Sequence, residues 1–272
     1  MGYVISVANQ KGGVGKSTTV INLGTALAMR GKRVLLLDID PQGNTTSGIG
    51  IEKSSLTVCI YDLLLNELHP KDVTHKTLME NLNIIPATLR LAGAEIELVS
   101  AFSRETRLKK AIEPVLNEYD YLLIDCPPSL GLLTINSLCS SHAVLIPIQC
   151  EYYALEGLSQ LMEVIELVQR HLNKSLEIFG ALLTMYDPRT NLSTQVAAEV
   201  KNFFKEKTFH TIVPRNIKLS EAPSFGKSVL HYDGRSKGAA AYLDLANEIL
   251  KQKNSQPKKK KEPVFANSRK EG

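Results

Sequence analysis

Asn9-Gln10-Lys11-Gly12-Gly13-Val14-Gly15-Lys16-Ser17-Thr18 stands between the apolar run Tyr3–Ala8 and a stretch in which Val20, Leu23 and Leu27 step by three and four residues. A glycine-rich segment between a strand and a helix can curl so that successive backbone N–H groups point at one anion. The positive end of the helix that follows adds to the attraction. In such a loop Lys16 reaches β- and γ-phosphates and the Ser17 hydroxyl ligates Mg²⁺. The general phosphate-loop pattern asks for glycine where Gln10 stands, and no GxGxxG dinucleotide pattern can be read through Gly13-Val14-Gly15. What is present is Lys-Gly-Gly-x-Gly-Lys-Ser, with Lys11 as an additional cation.

Working outward, short apolar runs alternate with helical patterns. The spacing predicts strands at Tyr3–Ala8, Val34–Asp40, Leu82–Pro86, Tyr119–Cys126, Ala143–Gln149, Ile178–Met185 and Thr211–Val213. Several are apolar throughout, as parallel strands covered on both faces are. Between them Leu155, Leu158, Met162, Ile165 and Val168 form one helical stripe. The alternation implies an α/β fold, a doubly wound and mostly parallel sheet with helices on both faces.

Two of these strands end in carboxylates. Val34–Pro41 carries Asp38 and Asp40, and Tyr121–Pro128 carries Asp125. Ligands of open α/β sheets lie outside the carboxyl ends of the strands, so both segments should point at the glycine-rich loop. An apolar strand ending in Asp has the form of a Walker B element, and Asp125 is expected to hold Mg²⁺ through water. Asp38 and Asp40, two residues apart, are expected to take different roles. Asp40 would orient the attacking water, and Asp38 would support the metal site from behind.

The chain has 272 residues, 43% of them hydrophobic and 22% charged, which excludes a disordered or fibrous polymer. No apolar run approaches the ~20 residues of a membrane span. Met1-Gly2 with Ser6 matches the loose myristoylation pattern, but Tyr3–Val7 reads better as a buried strand. The four cysteines, Cys59, Cys126, Cys139 and Cys150, form no CxxC pair and read as reduced thiols. The net charge of +4 hides a split: residues 251–272 hold eight Lys/Arg against two Asp/Glu, and residues 187–237 hold nine against five, while residues 1–186 hold fifteen against nineteen. A local basic face can bind a polyanion on a nearly neutral body. One domain is expected over 1–250, followed by a disordered Lys-rich tail at 251–272.

Lys11–Ser17 resembles the deviant Walker A box of the ParA/MinD branch of P-loop NTPases, and Asp38-Ile39-Asp40-Pro41-Gln42-Gly43-Asn44 resembles its second box. The similarity to ParA/Soj chromosome- or plasmid-partitioning ATPases continues through Asp125–Gly131, Gln149–Gly157, Pro214-Arg215-Asn216 and Leu219–Ser224, covering about residues 3–250. That resemblance implies an ATPase with ATP and Mg²⁺ bound at Lys11, Gly12, Gly13, Val14, Gly15, Lys16, Ser17 and Thr18, with Pro214 and Asn216 against the adenine. It implies a homodimer that sandwiches two nucleotides. Lys11 would then reach the partner subunit's phosphates, and Gly12 would be small because the faces meet there. It further implies binding of double-stranded DNA without sequence preference, through Arg189 and Lys218, with Lys227, Arg235 and Lys237 as weaker candidates. A ParB-type centromere-binding protein would stimulate hydrolysis. The expected location is cytoplasmic and nucleoid-associated.

Three other uses of these residues are considered. A MinD-like membrane ATPase needs an amphipathic C-terminal helix, and after Leu250 the only sizeable apolar residues are Val264 and Phe265. An iron–sulfur reductase needs a pair of ligand cysteines at a dimer axis, and Cys126 and Cys139 do not suit. A nucleotide-gated DNA-binding regulator with negligible turnover uses the same residues as the ATPase.

Overall fold

The computed structural model describes residues 1–151 and 156–255. The stretch Tyr152–Leu155, inside one of the resembling motifs, and residues 256–272 of the expected tail lie outside the described residues. Seven strands form one sheet: β1 (Tyr3–Val7), β2 (Val34–Asp38), β3 (His75–Lys76), β4 (Leu82–Ile85), β5 (Tyr121–Asp125), β6 (Ala143–Gln149) and β7 (Glu177–Thr184). Their order across the sheet is β3-β4-β2-β5-β1-β6-β7. All pairs are parallel except β3 with β4. The central strands β2 and β5 are buried along their whole length, which accounts for their unbroken apolar character.

Two apolar cores lie on the two faces of the sheet. On one, Val20, Leu23 and Leu27 of the first helix (Lys16–Ala28) pack with Tyr242, Leu245 and Ile249 of the last helix (Lys237–Ser255). On the other, Leu91, Leu108, Leu133, Leu161 and Val200 come from five successive helices. Gly24 lets the first helix lie close on the sheet, because a Cβ there would stand 2.6 Å from Leu36.

Three sequence expectations change. Thr211–Val213 is not a strand: the Val213 N–H donates to the Leu183 carbonyl of β7 (2.9 Å), and an isolated bridge joins Tyr186 and Pro214 just beyond the two segments. Pro214 has no N–H to continue a ladder. The two-residue antiparallel edge β3 had no apolar run to signal it. The last helix runs on to Ser255, past the expected boundary at 250, and the Lys253 ammonium sits over the rings of Tyr3 (4.6 Å) and Tyr121 (4.5 Å). Cation–π contact of that kind gives a lysine beyond the composition change a reason to stay on the body.

Candidate nucleotide site

The glycine-rich loop leaves β1 at the carboxyl ends of the central strands, where β1 lies between β5 and β6. Asn9 fixes its start. The Asn9 side chain donates to the Pro147 carbonyl at the β6 end (2.7 Å) and accepts from the Lys11 N–H (3.0 Å). Gly13 (φ +74°) and Gly15 (φ +92°) hold left-handed backbone that a side chain would strain. Between them Val14 turns into the protein, and its carbonyl accepts from the Thr184 hydroxyl at the end of β7 (2.8 Å).

That cavity has a volume of about 720 Å³. Gly12, Gly13, Gly15, Lys16, Ser17 and Thr18 line it on the loop side, and Asp40 lines it from the end of β2. Met185, Val213, Pro214 and Asn216 form another part of the wall. The segment carrying Pro214 is held by Tyr186 N–H to Val213 carbonyl (3.2 Å) and Arg215 N–H to Tyr186 carbonyl (3.0 Å). Lys16 is only 7% exposed, and its ammonium donates to the Lys11 carbonyl (3.2 Å). Burial lowers its pKa from the ordinary lysine value, and the nearby Asp125, Cys126 and Asp40 pull it back up.

Asp38 and Asp125 stand side by side, in register on β2 and β5, and both are fully buried. Burial raises the pKa of each well above the carboxylate range, and the Asp125 charge raises Asp38 further. The neighbouring Ser17 and Thr45 hydroxyls pull Asp125 back down. The two carboxylates are partnered differently. Asp38 Oδ1 accepts from the Asp40 N–H (3.3 Å), and its Oδ2 accepts from the N–H (2.8 Å) and hydroxyl (2.7 Å) of Thr46. Asp125 Oδ2 accepts from the Thr45 hydroxyl (2.7 Å), whereas Asp125 Oδ1 is buried without a hydrogen-bond partner. A buried, bare carboxylate oxygen is costly on its own. Beside Ser17 it fits a hard cation that keeps several waters and takes one carboxylate plus phosphate oxygens. Among the described residues no group of three or more His, Cys, Asp or Glu could hold a metal by itself. The strand ends at Asp38, so the separation of roles from Asp40 comes from the turn that follows, where Asp40 Oδ1 accepts from the Gln42 N–H (2.9 Å).

Lys11 does not line this cavity. It lines a neighbouring cleft of about 390 Å³ with Glu151, Asp187 and Arg215. Arg189 and Lys218 lie outside both and are ion-paired. The Arg189 guanidinium donates to both oxygens of Asp187 (2.8 and 2.7 Å), which holds that carboxyl down to about 2. Lys218 donates to Glu221 Oε2 (2.9 Å). The polar residues that sequence reasoning passed over are Asn9, Thr45, Thr46 and Thr184. Each acts on a group distant in sequence, so no local pattern marks them. All four cysteines are buried and free. Among the described residues no helix is long and apolar enough to cross a membrane.

A family model described as an AAA domain matches residues 2–178. The Bacillus subtilis (strain 168) sporulation initiation inhibitor protein Soj is 61% identical over 249 residues, covering 92% of this chain and 98% of that one. The Myxococcus xanthus chromosome partitioning protein ParA is 53% identical over 251 residues, 92% and 89% of the two chains. Among solved structures, a Mycobacterium smegmatis protein described as cobyrinic acid a,c-diamide synthase, with a bound ATP analogue and magnesium, superposes with a TM-score of 0.84 at 38% identity, over 98% of this chain and 100% of that one.

Proposed function

The chain belongs to the Soj/ParA family of chromosome-partitioning ATPases, and from that premise we propose that ATP switches it into a DNA-binding sandwich dimer whose hydrolysis a ParB-type centromere-binding partner stimulates. The observation that carries the nucleotide half of this reading is the bare Asp125 Oδ1 beside Ser17 and the buried Lys16. These groups, with the left-handed glycines, match the needs of a nucleoside triphosphate with a magnesium ion. The diamide synthase name of the structural neighbour speaks for a shared nucleotide fold, while the sequence relatives at 53% and 61% identity are partitioning or sporulation proteins.

In this proposal the loop N–H groups and Lys16 hold the β- and γ-phosphates, and Pro214 and Asn216 flank the adenine. Ser17 and Asp125 hold Mg²⁺, Asp125 through water. The metal supplies charge neutralisation on the β- and γ-oxygens. Asp40, at the cavity wall, accepts a hydrogen bond from the water that attacks, and Asp38 fixes the turn on which Asp40 sits. Lys11, already turned away from its own subunit's cavity, reaches the partner subunit's phosphates and stabilises charge that develops during transfer. Gly12 supports this arrangement: a Cβ there would meet nothing within 4 Å inside the subunit, so any demand for glycine comes from outside it. Arg189 and Lys218 contact DNA phosphates from each subunit, and pairing the two faces doubles the contacts and steepens the salt dependence. The chain would work in the cytoplasm on the nucleoid.

The test is binding to random-sequence duplex DNA with ATP, with ADP and with neither, across a salt series. Tight binding with ATP alone, lost steeply as salt rises, is expected. Binding indifferent to nucleotide would remove the switch, and no binding in any state would turn the question to lipid vesicles and a MinD-like role.

A further inference from the structure

The two buried aspartates are each met by a threonine, and the threonines are consecutive. Thr45 and Thr46 are both fully buried in the short helix Asn44–Gly48. Thr46 turns to Asp38, and its hydroxyl oxygen also accepts from the Ala87 N–H (2.9 Å). Asp38 thereby has both oxygens occupied by protein donors. Thr45 turns the other way and donates to one oxygen of Asp125 only. The helix that carries both begins after a turn closed by Gly43 N–H to Asp40 carbonyl (2.9 Å). The Thr45 hydroxyl therefore reaches Asp125 only when the Asp40 turn is formed.

We propose that Thr45 is a positioning residue for the magnesium site: by holding Asp125 Oδ2 it fixes the carboxylate with Oδ1 facing the metal, and it ties that orientation to the Asp40 turn. The inference rests on the magnesium-nucleotide reading above. A carboxylate held by one hydrogen bond loses its freedom to rotate. Without that bond Oδ2 is left buried and unpaired, and the oxygen that faces the metal site loses its fixed orientation. Hydrogen bonds behind a metal ligand are typically worth ~10- to 100-fold in metal affinity.

The experiment uses the full chain with ADP as the probe, so that triphosphate-driven dimerisation does not enter. ADP affinity is measured by calorimetry in EDTA and across a Mg²⁺ series. Thr45→Val keeps the side chain's shape and removes the donor. Thr45→Ala removes it with a smaller side chain, so crowding by valine can be recognised. In both, the Mg²⁺ midpoint should rise ~10- to 100-fold while ADP affinity in EDTA stays at the parental value. Thr45→Ser should restore the midpoint. A loss of affinity equal in EDTA and in Mg²⁺ would make Thr45 merely structural and overturn the inference, as would an unchanged midpoint. Absence of any Mg²⁺ effect in the parental protein would instead remove the magnesium-nucleotide reading, and the inference with it.

Discussion

The nucleotide cavity and the basic surface hold their cations in opposite ways. Lys16 is 7% exposed, surrounded by carboxylates it does not bond, and aimed at a cavity. The Arg189 side chain is 85% exposed, and its fork is closed on Asp187. Around the cavity the fold has shielded the charges from bulk water, so a ligand's phosphates meet groups already largely desolvated. On the surface Arg189 and Lys218 each have water and an intramolecular partner, so a polyanion must compete for them. An exposed pair of this kind is worth little to stability. It does lower the charge free for a polyanion below what nine basic residues in 187–237 suggest.

The sharpest way to break this contrast is Lys16→Ala. A bond from this lysine to a phosphate would be charge-assisted and shielded from water, a class worth ~1.5–3 kcal/mol per bond. With two phosphates to reach, ATP affinity should fall on the order of 100-fold or more, measured by calorimetry on a chain whose melting temperature is checked first. Undiminished affinity would show that the cavity is not the ATP site.

How much of this was legible depends on whether the signal is local. β2 and β5 are uniformly buried, so their runs of Leu and Ile announce them, and Ala143–Gln149 has the same bounds in sequence and structure. The loop's glycines and lysines are contiguous, so its chemistry shows in ten letters. β3 is two residues long and takes its structure from β4, so nothing in His75-Lys76 predicts it. Thr211–Val213 has strand composition, but Pro214 leaves it with isolated contacts. The threonines were invisible for a further reason. Only the register of β2 on β5 brings Asp38 beside Asp125, and only then do Thr45 and Thr46 have two carboxylates to divide between them. Likewise the basic count over 187–237 is legible, while the pairing of Arg189 with Asp187 and Lys218 with Glu221 is not.

Arg189→Glu tests the other side of the contrast. Charge reversal at an exposed site should leave ATP binding unchanged, because Arg189 does not line the cavity. It should cost DNA affinity roughly tenfold or more with ATP at low salt, and flatten the dependence of log K on log salt by about one for each phosphate no longer neutralised. A filter-binding series at several salt concentrations reads both. Unchanged affinity and slope would move the DNA face away from the Asp187 loop.

The smallest effect is expected from the C-terminal residues, and the last helix says why. Tyr242 lines the nucleotide cavity near its start, and Lys253 near its end rests on Tyr3 and Tyr121, which begin β1 and β5. The helix therefore runs from the nucleotide end of the sheet to the opposite end. Ser255, the last described residue of the helix, comes 13 residues after Tyr242, or roughly 20 Å along the axis at ~1.5 Å per residue. Of the eight basic residues in 251–272, Lys251 and Lys253 belong to the last helix, so the sequence after Ser255 holds six, Lys258–Lys261, Arg269 and Lys270, against Glu262 and Glu271. A segment of that composition attracts a polyanion by its charge. Ending the chain at Ser255 should thus weaken DNA binding by only a few-fold, by the same factor with ATP and with ADP, and less as salt rises. A loss confined to the ATP state would mean that the segment reaches the switched surface itself, and the division between a sensing end and an electrostatic end would have to be redrawn.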